Sequence, residues 1–299
     1  MTQKLIEDLL SFLVSAVIQG SIYSLLALGF SLVYGVGGIL NQAHGAFYVI
    51  ATYIMYVFIN GLAGVGFTLG LIFSLGITTI IGGLIYLVLI KPLKESHVSV
   101  VIVTFAFAFF IEYLVGILVD RIPHKIEDYF IYFGASERFF TVFGVDIQYQ
   151  EILIFIVATL LVILITLFIK KSKLGKSIRA VAQDSEAAEL MGINVDKILA
   201  YTLMISAFLA AIAAIINGPL GTVTPYAGWP ILINSFAIVV LGGLGSLPGS
   251  VLGAYILAFA SRFTQSFINP IFGALIPIVV IVIMLIIRPR GIFGKKEID

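Results

Sequence analysis

The residues able to carry out acid–base or nucleophilic chemistry are few and widely separated in this chain. The three histidines, His44, His97 and His124, fall in separate loops or helix breaks, and no nucleophile, base and acid stand at a spacing that would join them. The absence of cysteine excludes disulfides and thiolate metal sites. His44 has no further metal ligand at a suitable spacing. The sequence therefore predicts a protein with no catalytic residues, no metal and no cofactor.

Two charged residues, Glu112 and Arg262, lie inside apolar segments. A charge within a membrane segment is a candidate functional feature. Glu112 stands eight residues before Asp120, where its segment ends, and Arg262 can extend its aliphatic stem outward. The two are also candidates to pair with each other. A secondary transporter coupled to protons or sodium would need such a carboxylate. This alternative to an ATP-driven transporter therefore depends on Glu112.

The tripeptide Gly175-Lys176-Ser177 resembles the end of a phosphate-binding loop, but the rest of that motif is missing. The motif requires a glycine five residues before Gly175, where this chain has Lys170. The stretch also follows an apolar membrane segment and not a buried strand. No nucleotide site is predicted, so ATP-driven transport would require an ATPase on another polypeptide.

Composition places most of the chain in a membrane. Of 299 residues, 61% are hydrophobic and 11% are charged, whereas a soluble domain carries about 25% charged residues. The apolar runs are continuous and reach about 20 residues, the length of a membrane-spanning helix. The net charge of +1 gives no reason to expect nucleic-acid binding. We predict an all-α polytopic membrane protein, folded as one transmembrane domain over 1–299.

Nine apolar segments are predicted as helices, and they give eight or nine crossings, depending on whether 36–60 fully crosses. The segments are 10–34, 44–60, 67–90, 98–120, 151–169, 198–222, 233–247, 250–268 and 270–288.

Lysine and arginine stay on the cytoplasmic side of membrane proteins, and their positions predict the topology. Basic residues mark three cytoplasmic segments, and they are Lys91, Lys94, Lys170, Lys171, Lys173, Lys176, Arg179, Arg288, Arg290, Lys295 and Lys296. The segment 120–151 holds six acids, among them Asp120 and Glu137, against three strong bases, so 121–150 is predicted as an external loop. Nine spans would place the N-terminus outside, and eight would place it inside.

Glycine-rich breaks occur at matching places in the two halves of the chain. Gly37-Gly38-Ile39 precedes Gly45, and 205 residues later Gly242-Gly243-Leu244 precedes Gly249. Such breaks indicate discontinuous helices at a translocation path, although glycines also simply let membrane helices pack closely. In the first break, polar side chains would contact solute, gate the path or satisfy freed backbone groups. The predicted path residues are Gly37, Gly38, Asn41, Gln42, His44, Gly45, Gly242, Gly243, Gly245 and Gly249.

The longest polar stretch on the basic side of the predicted membrane protein is 174–197, within a predicted cytoplasmic loop 170–197. Asp184 is placed to cap a short helix and Gly192 to end it. Glu186 and Glu189 stand near its positive end, and the apolar residues between the caps are Ala187, Ala188, Leu190 and Met191. Apolar side chains between charged ones suit insertion into a groove of another protein, and the alternative is a helix lying on the lipid surface.

A run rich in helix breakers, 217–230, follows one apolar segment and carries no charge. It could form the external mouth, where a partner delivers solute. An ordinary interfacial turn with Trp229 as an aromatic anchor is the other interpretation.

Four stretches together resemble one known family over essentially the whole length. They are SIYSLLALGFSLVYGVGGILNQAHGAFY (21–48), LGKSIRAVAQDSEAAELMGIN (174–194), AIVVLGGLGSLPGSVLGAYIL (237–257) and RPRGIFG (288–294). The chain resembles a permease subunit of the high-affinity branched-chain amino-acid ABC importers. The loop 121–150 matches the family least well.

This resemblance implies more than the residues alone. It implies a fold like that of the vitamin B12-type and ribose-type importers, located in the cell (inner) membrane. It implies a second related permease subunit or a second copy, two cytoplasmic ATPase subunits and an external solute-binding protein. It also implies that the coupling helix of the family, which contacts the ATPase, falls on Asp184, Glu186, Ala187, Ala188, Leu190, Met191 and Gly192. Leucine, isoleucine and valine are the implied solutes, and permeases for urea or short amides are the alternative within the same group.

Overall fold

The structure is a computed structural model and describes residues 2–61, 66–119, 121–130, 139–142 and 144–294. Five residues that entered the sequence-based assignment of sides lie outside this part of the chain, and they are Asp120, Glu137, Arg138, Lys295 and Lys296.

The described chain is almost entirely helical. The helices are α1 (Thr2–Gly37), α2 (His44–Gly61), α3 (Gly66–Leu84), α4 (His97–Leu118), α5 (Tyr149–Lys171), α6 (Lys173–Gln183), α7 (Ser185–Leu190), α8 (Val195–Asn217), α9 (Gly228–Gly242), α10 (Leu247–Phe267) and α11 (Pro270–Ile287). A π-helical segment (Ile85–Ile90) and three 3₁₀ turns (Lys91–Leu93, Gly218–Leu220 and Pro225–Ala227) extend or join them.

Two short antiparallel sheets complete the described elements. The strands are β1 (His124–Lys125), β2 (Phe139–Val142), β3 (Val145–Gln148) and β4 (Thr222–Val223). β1 pairs with β4, and β2 pairs with β3 in a hairpin that leads directly into α5.

Seven helical segments in the described part of the chain are long and apolar enough to cross a membrane. Their bounds, including adjoining turns, are Lys4–Gly37, Gly66–Leu93, His97–Leu118, Tyr149–Lys171, Val195–Leu220, Pro225–Gly242 and Pro270–Ile287. The other two predicted spans form α2 and α10, which carry more polar residues, including His44, Asn60, Arg262 and Gln265. The predicted multi-pass helical architecture is therefore confirmed.

Two predicted helical segments have boundaries that are wrong by five residues, both ends of one segment and the C-terminal end of the other. The segment predicted at 233–247 forms α9 at Gly228–Gly242, and the segment predicted at 198–222 ends at Asn217. Pro230 lies in the first turn of α9, where its missing N–H leaves no helical bond unmade. At the other end Gly243 has a φ of +103°, which is incompatible with continuing the helix. Gly228-Trp229-Pro230 therefore begins a helix and is not the turn that its breakers predict.

Small residues allow the central helices to approach closely, as is usual in membrane bundles. α1 packs along α10 and α8, and α3 packs along α8. A Cβ added to Gly20 would lie 2.4 Å from the Tyr255 ring, and one added to Gly82 would lie 2.9 Å from the Leu203 carbonyl oxygen. The exposed apolar side chains lie mainly on α3, α4, α5 and α11, so these helices form the outside of the bundle.

The bundle has two chemically different ends. One carries Lys91, Lys94, Lys170 and Lys171 together with α6 and α7, and it is called the basic end below. The other carries the β2–β3 hairpin and is called the hairpin end. The start of α1 lies at the hairpin end, because a Cβ on Gly144 would lie 2.8 Å from a carboxylate oxygen of Glu7.

Candidate functional site

The polar stretch at the basic end begins with an amphipathic helix, α6, that packs against the bundle. The Ser172 hydroxyl caps its start by accepting from the Gly175 N–H at 2.8 Å. Ile178 and Val181 are buried in the main core, while the guanidinium of Arg179 donates to the Ile169 carbonyl at the end of α5. α6 is thereby fixed at both its polar and apolar faces, and it holds α7 at a defined place.

Both ends of α7 are closed by the residues that the sequence indicates. A carboxylate oxygen of Asp184 accepts from the Ala187 N–H at 2.9 Å, which is an N-terminal cap. Gly192 has a φ of +84° and donates to the Glu189 carbonyl at 2.9 Å, and the Ile193 N–H donates to the Ala188 carbonyl at 3.0 Å. This is a glycine-based C-terminal cap, so six residues hold a helical turn without the support of a longer helix.

The apolar side chains of α7 divide into an exposed set and a buried anchor. Leu190 is 89% exposed and Met191 is 83% exposed, and Ala187 is exposed beside them. These three residues are called the α7 knob below. Ala188, which the sequence placed in the same apolar group, is instead buried in the main core and fastens α7 to the bundle. Glu186 and Glu189 are exposed, so charge borders the α7 knob.

A carboxylate in the first turn of α8 fixes the far end of this loop. Asp196 accepts from Lys91 at 3.1 Å and from Lys94 at 3.0 Å, and the Tyr86 hydroxyl donates to it at 2.8 Å. Tyr86 is fully buried in the π-helical segment that follows α3. Sequence reasoning assigned the two lysines to a cytoplasmic loop, and it missed this cluster because Asp196 lies over 100 residues from its partners.

A cleft of about 830 Å³ at the basic end joins two sets of residues that the sequence treats separately. One wall is the end of α1, with Gly37 and Gly38, and the other is the loop around α7, with Glu186, Glu189 and Gly192. The proposed coupling segment therefore lies across a cleft from the first glycine-rich break.

The first break turns the chain into the interior of the bundle. Gly38 has a φ of +62° and ends α1. Asn41 is buried, and its side-chain oxygen accepts from the Ala43 N–H at 3.1 Å, while the Gln42 N–H donates to the Thr104 hydroxyl at 3.1 Å. These bonds satisfy backbone groups released by the missing helical turn.

His44 starts α2 from a fully buried position. Its Nδ1 lies 3.2 Å from the Ser206 hydroxyl, and its ring packs edge-on against Phe30 at 5.6 Å between centroids. His44 therefore joins α1, α2 and α8 and has no surface open to solute in this conformation. Gly45 lies against the first turn of α9, where a Cβ would approach the Gly228 carbonyl oxygen to 2.1 Å.

The second break lies at the basic end and receives the C-terminal segment. The Ile292 N–H donates to the Leu241 carbonyl at 2.9 Å, and the Phe293 N–H donates to the Gly242 carbonyl at 3.0 Å. These donors satisfy carbonyls left open at the end of α9. A Cβ added to Gly242 would lie 2.2 Å from the Gly249 carbonyl oxygen. Gly242 and Gly249 thus allow α9 and α10 to meet in a tight turn.

At the hairpin end, the breaker-rich run after α8 encloses a cavity of about 200 Å³. Thr222 and Thr224 line it together with Tyr48 and Asn217. The Asn217 amide donates to the Tyr48 hydroxyl at 2.7 Å and so ties this run to α2. The cavity lies where the sequence suggests an external mouth.

The two charges inside apolar helices do not pair with each other among the residues that the structure describes. The Trp229 indole N–H donates to the carboxylate of Glu112, and the Arg262 guanidinium donates to the side-chain oxygen of Gln19. The sequence-based suggestion of a Glu112–Arg262 pair is therefore wrong. Trp229 is the first aromatic residue of α9 and bonds to α4, so it connects two helices.

Comparison with known proteins identifies the family. The family described as "Branched-chain amino acid transport system / permease component" matches residues 12–287. The chain belongs to this family. The permease protein BraD of the high-affinity branched-chain amino acid transport system of Pseudomonas aeruginosa is 34% identical over 300 residues, covering 96% of each chain. LivH of Salmonella typhimurium, named for the same kind of system, is 30% identical over 298 residues and 95% of each chain.

A solved structure shares the fold of this permease. It is described as PsaBC from Streptococcus pneumoniae in complex with Fab, and it matches with a TM-score of 0.53 over 98% of both chains at 15% identity. The resemblance predicted from the four sequence stretches is confirmed, as is the expectation of a multi-pass membrane permease.

Proposed function

We propose that this chain is the membrane-spanning permease subunit of an ATP-driven ABC importer for branched-chain amino acids. The observation that carries this proposal is the α7 knob, a capped helical turn with exposed Leu190 and Met191 at the basic end of a permease bundle. If transport is ATP-driven, the ATPase must be a separate subunit, because this sequence has no recognisable nucleotide site. Among the described residues of the basic end, Leu190 and Met191 of the α7 knob are the most exposed apolar side chains.

The solute is inferred from the relatives. BraD and LivH are both named as high-affinity branched-chain amino acid transport permeases. The proposed solutes are therefore leucine, isoleucine and valine, and transport of urea or short amides is the alternative that a substrate assay would distinguish.

The proposed topology has nine crossings, with α2 and α10 as the two additional spans inside the bundle. The basic end faces the cytoplasm, in keeping with the distribution of lysine and arginine. The N-terminus and 121–150 then lie outside and the C-terminus inside, which agrees with the position of Glu7 beside Gly144. We propose an architecture of the vitamin B12-importer type in the cell membrane.

The proposed partners occupy both ends of the bundle. A second permease chain, either related or a second copy, lies beside it in the bilayer. Two ATPase subunits bind at the basic end, where the groove of one receives the α7 knob. A soluble binding protein docks at the hairpin end near 121–150 and 222–232, next to the cavity lined by Thr222 and Thr224.

The proposed mechanism is alternating access driven by motion of α7. ATP binding closes the motor dimer and displaces α7, and the displacement reaches the bundle through Ala188 and through Asp196 with its two lysines. The glycine-rich breaks at Gly38 and Gly243 let α1 and α9 shift at the basic end. Coupling requires the motor to bind the two permease states with different affinity.

Replacing Leu190 with aspartate tests this function. The variant puts a charge into the proposed apolar contact, so ATP-dependent uptake of leucine into cells should be lost while the amount of protein in the membrane stays unchanged. Leu190→Met is the matched control and should keep uptake, because it conserves volume and apolar character. Full uptake by Leu190→Asp would contradict the proposal.

A further inference from the structure

Glu112 is a carboxylate at membrane depth without a cationic partner. It lies in α4 six residues before the helix ends at Leu118, which places it about 9 Å from that end at 1.5 Å per residue. The Trp229 indole N–H donates to one of its oxygens. In the described part of the chain, no lysine or arginine nitrogen lies within 4.0 Å of it, since both such pairs involve Asp196.

The surroundings of Glu112 are aromatic and open toward the outside of this chain. The rings of Phe105 and Phe109 lie 5.1 and 4.8 Å from the Trp229 ring, centroid to centroid, and both are exposed. Glu112 itself is partly exposed on the same side. The void behind it, which also touches Gly45, holds only about 10 Å³. A ligand of Glu112 must therefore approach from the exposed face of α4 and not from between the helices.

The exposed face of α4 is largely apolar, and it differs from the exposed faces of α11 and of the middle of α5 in the partly exposed carboxylate of Glu112. The exposed side chains within α11 are apolar, and those along the middle of α5 are apolar as well. An ionised carboxylate facing hydrocarbon is expensive, and such groups in membrane proteins face protein or water and take a partner. In the described chain Glu112 has the neutral Trp229 N–H as its bonded partner, so its exposed side has room for a cation from outside the chain.

We infer that the exposed face of α4 and α9 lines the solute path and that Glu112 binds the α-ammonium group of the transported amino acid. This inference rests on the proposed function and adds a solute contact to it. The carboxylate supplies the opposite charge, and the rings of Phe105, Phe109 and Trp229 supply π-faces that attract a cation. Trp229 donates a hydrogen bond to the carboxylate from a neutral N–H, so the negative charge stays available to the ligand.

The test uses Trp229 as its own reporter, because it is the only tryptophan in the chain. The permease is purified together with its membrane and ATPase partners, and tryptophan fluorescence is titrated with leucine. The same complex with Trp229→Phe serves as the blank for tryptophans of the partners. Leucine should produce a saturable change, and 2-hydroxy-4-methylpentanoate, in which a hydroxyl replaces the ammonium, should produce none at the same concentrations.

Substitution of the carboxylate completes the test. Glu112→Gln should raise the half-saturating leucine concentration about tenfold or more, the effect of losing about 1.4 kcal/mol. Glu112→Asp keeps the charge and should respond at an intermediate concentration. Glu151→Gln alters a carboxylate that caps the start of α5 at the hairpin end and should leave the titration unchanged.

Three outcomes would overturn the inference. They are no fluorescence change with leucine, an equal response to the hydroxy acid, and loss of the second permease chain from the Glu112→Gln complex, which would make that chain the partner of Glu112. The proposed function remains supported after any of these outcomes if the ATPase still co-purifies and Leu190→Asp still abolishes uptake. Absence of any ATPase would instead remove the function on which the inference rests.

Discussion

The backbone of Gly35 in α1 lies against the backbone of Gly245 in the turn between α9 and α10. A Cβ added to Gly35 would lie 2.9 Å from the Gly245 Cα, closer than real side chains approach a neighbouring backbone. This contact joins the two glycine-rich breaks at the basic end, although they are over 200 residues apart in sequence. The two glycine-rich breaks therefore lie side by side, across a cleft from the loop that carries α7.

Gly35→Ala should destabilise this junction, because the added methyl group has only backbone to displace. We expect a loss of about 1–3 kcal/mol, as for overpacking elsewhere, together with reduced uptake. The measurement is thermal unfolding of the purified permease in detergent. Gly76→Ala is the matched control in α3, where an added Cβ meets nothing within 4 Å. A glycine-to-alanine change in an open helical position should be neutral or gain up to about 1 kcal/mol. Equal effects at both positions would contradict the contact.

Asp184→Ala should weaken the motor contact without altering the α7 knob itself. Loss of the N-terminal cap costs about 1 kcal/mol of helix stability, a large share for a helix of six residues. We expect lower leucine uptake and a lower yield of co-purified ATPase. Asp184→Asn retains a capping oxygen and should restore both, and an asparagine variant as defective as the alanine variant would show that the cap is not the cause.

Asp196→Asn should uncouple the loop from its neighbours while leaving the fold intact. The two ion pairs are partly exposed, with side-chain exposures of 47% and 48% for the lysines and 27% for Asp196. Each such pair contributes only about 0.2–1 kcal/mol. The unfolding temperature should therefore change little, while uptake per ATP hydrolysed falls in reconstituted vesicles. A double-mutant cycle with Lys91→Gln checks the interaction, and strictly additive effects on uptake would exclude it.

Ile292→Pro should loosen the second break, because proline removes the N–H that bonds to the Leu241 carbonyl. Loss of one such bond costs about 1 kcal/mol, and more where the freed carbonyl is buried. Ile292→Ala keeps the N–H and removes only side-chain contacts. It therefore separates the loss of the hydrogen bond from the loss of side-chain packing. The unfolding temperature of the proline variant should fall below that of the alanine variant, and the reverse order would argue against capping of α9 by the C-terminal segment.

The sequence predicted the helices well because long continuous apolar runs have few alternatives in a bilayer. The caps at Asp184 and Gly192 were equally predictable, since each depends on residues within one helical turn. The start of α9 was missed because Gly228 and Pro230 are read as breakers, yet a proline in the first turn is compatible with a helix.

Contacts between distant segments could not be predicted from one sequence. Nothing local in Tyr86 or Asp196 indicates the other, and the burial of Ala188 depends on how α7 lies against the core. The burial of His44 could not be predicted for the same reason, because it is set by Phe30 and Ser206 on other helices.

Purification of the tagged protein from its native membrane in a mild detergent, with partners identified by mass spectrometry, tests the central claim most directly. The account predicts a second permease chain and an ATPase with the unaltered protein and with Leu190→Met, and loss of the ATPase with Leu190→Asp. Recovery of this chain alone in several detergents, or an ATPase yield that Leu190→Asp leaves unchanged, would contradict the claim that the α7 knob binds a motor.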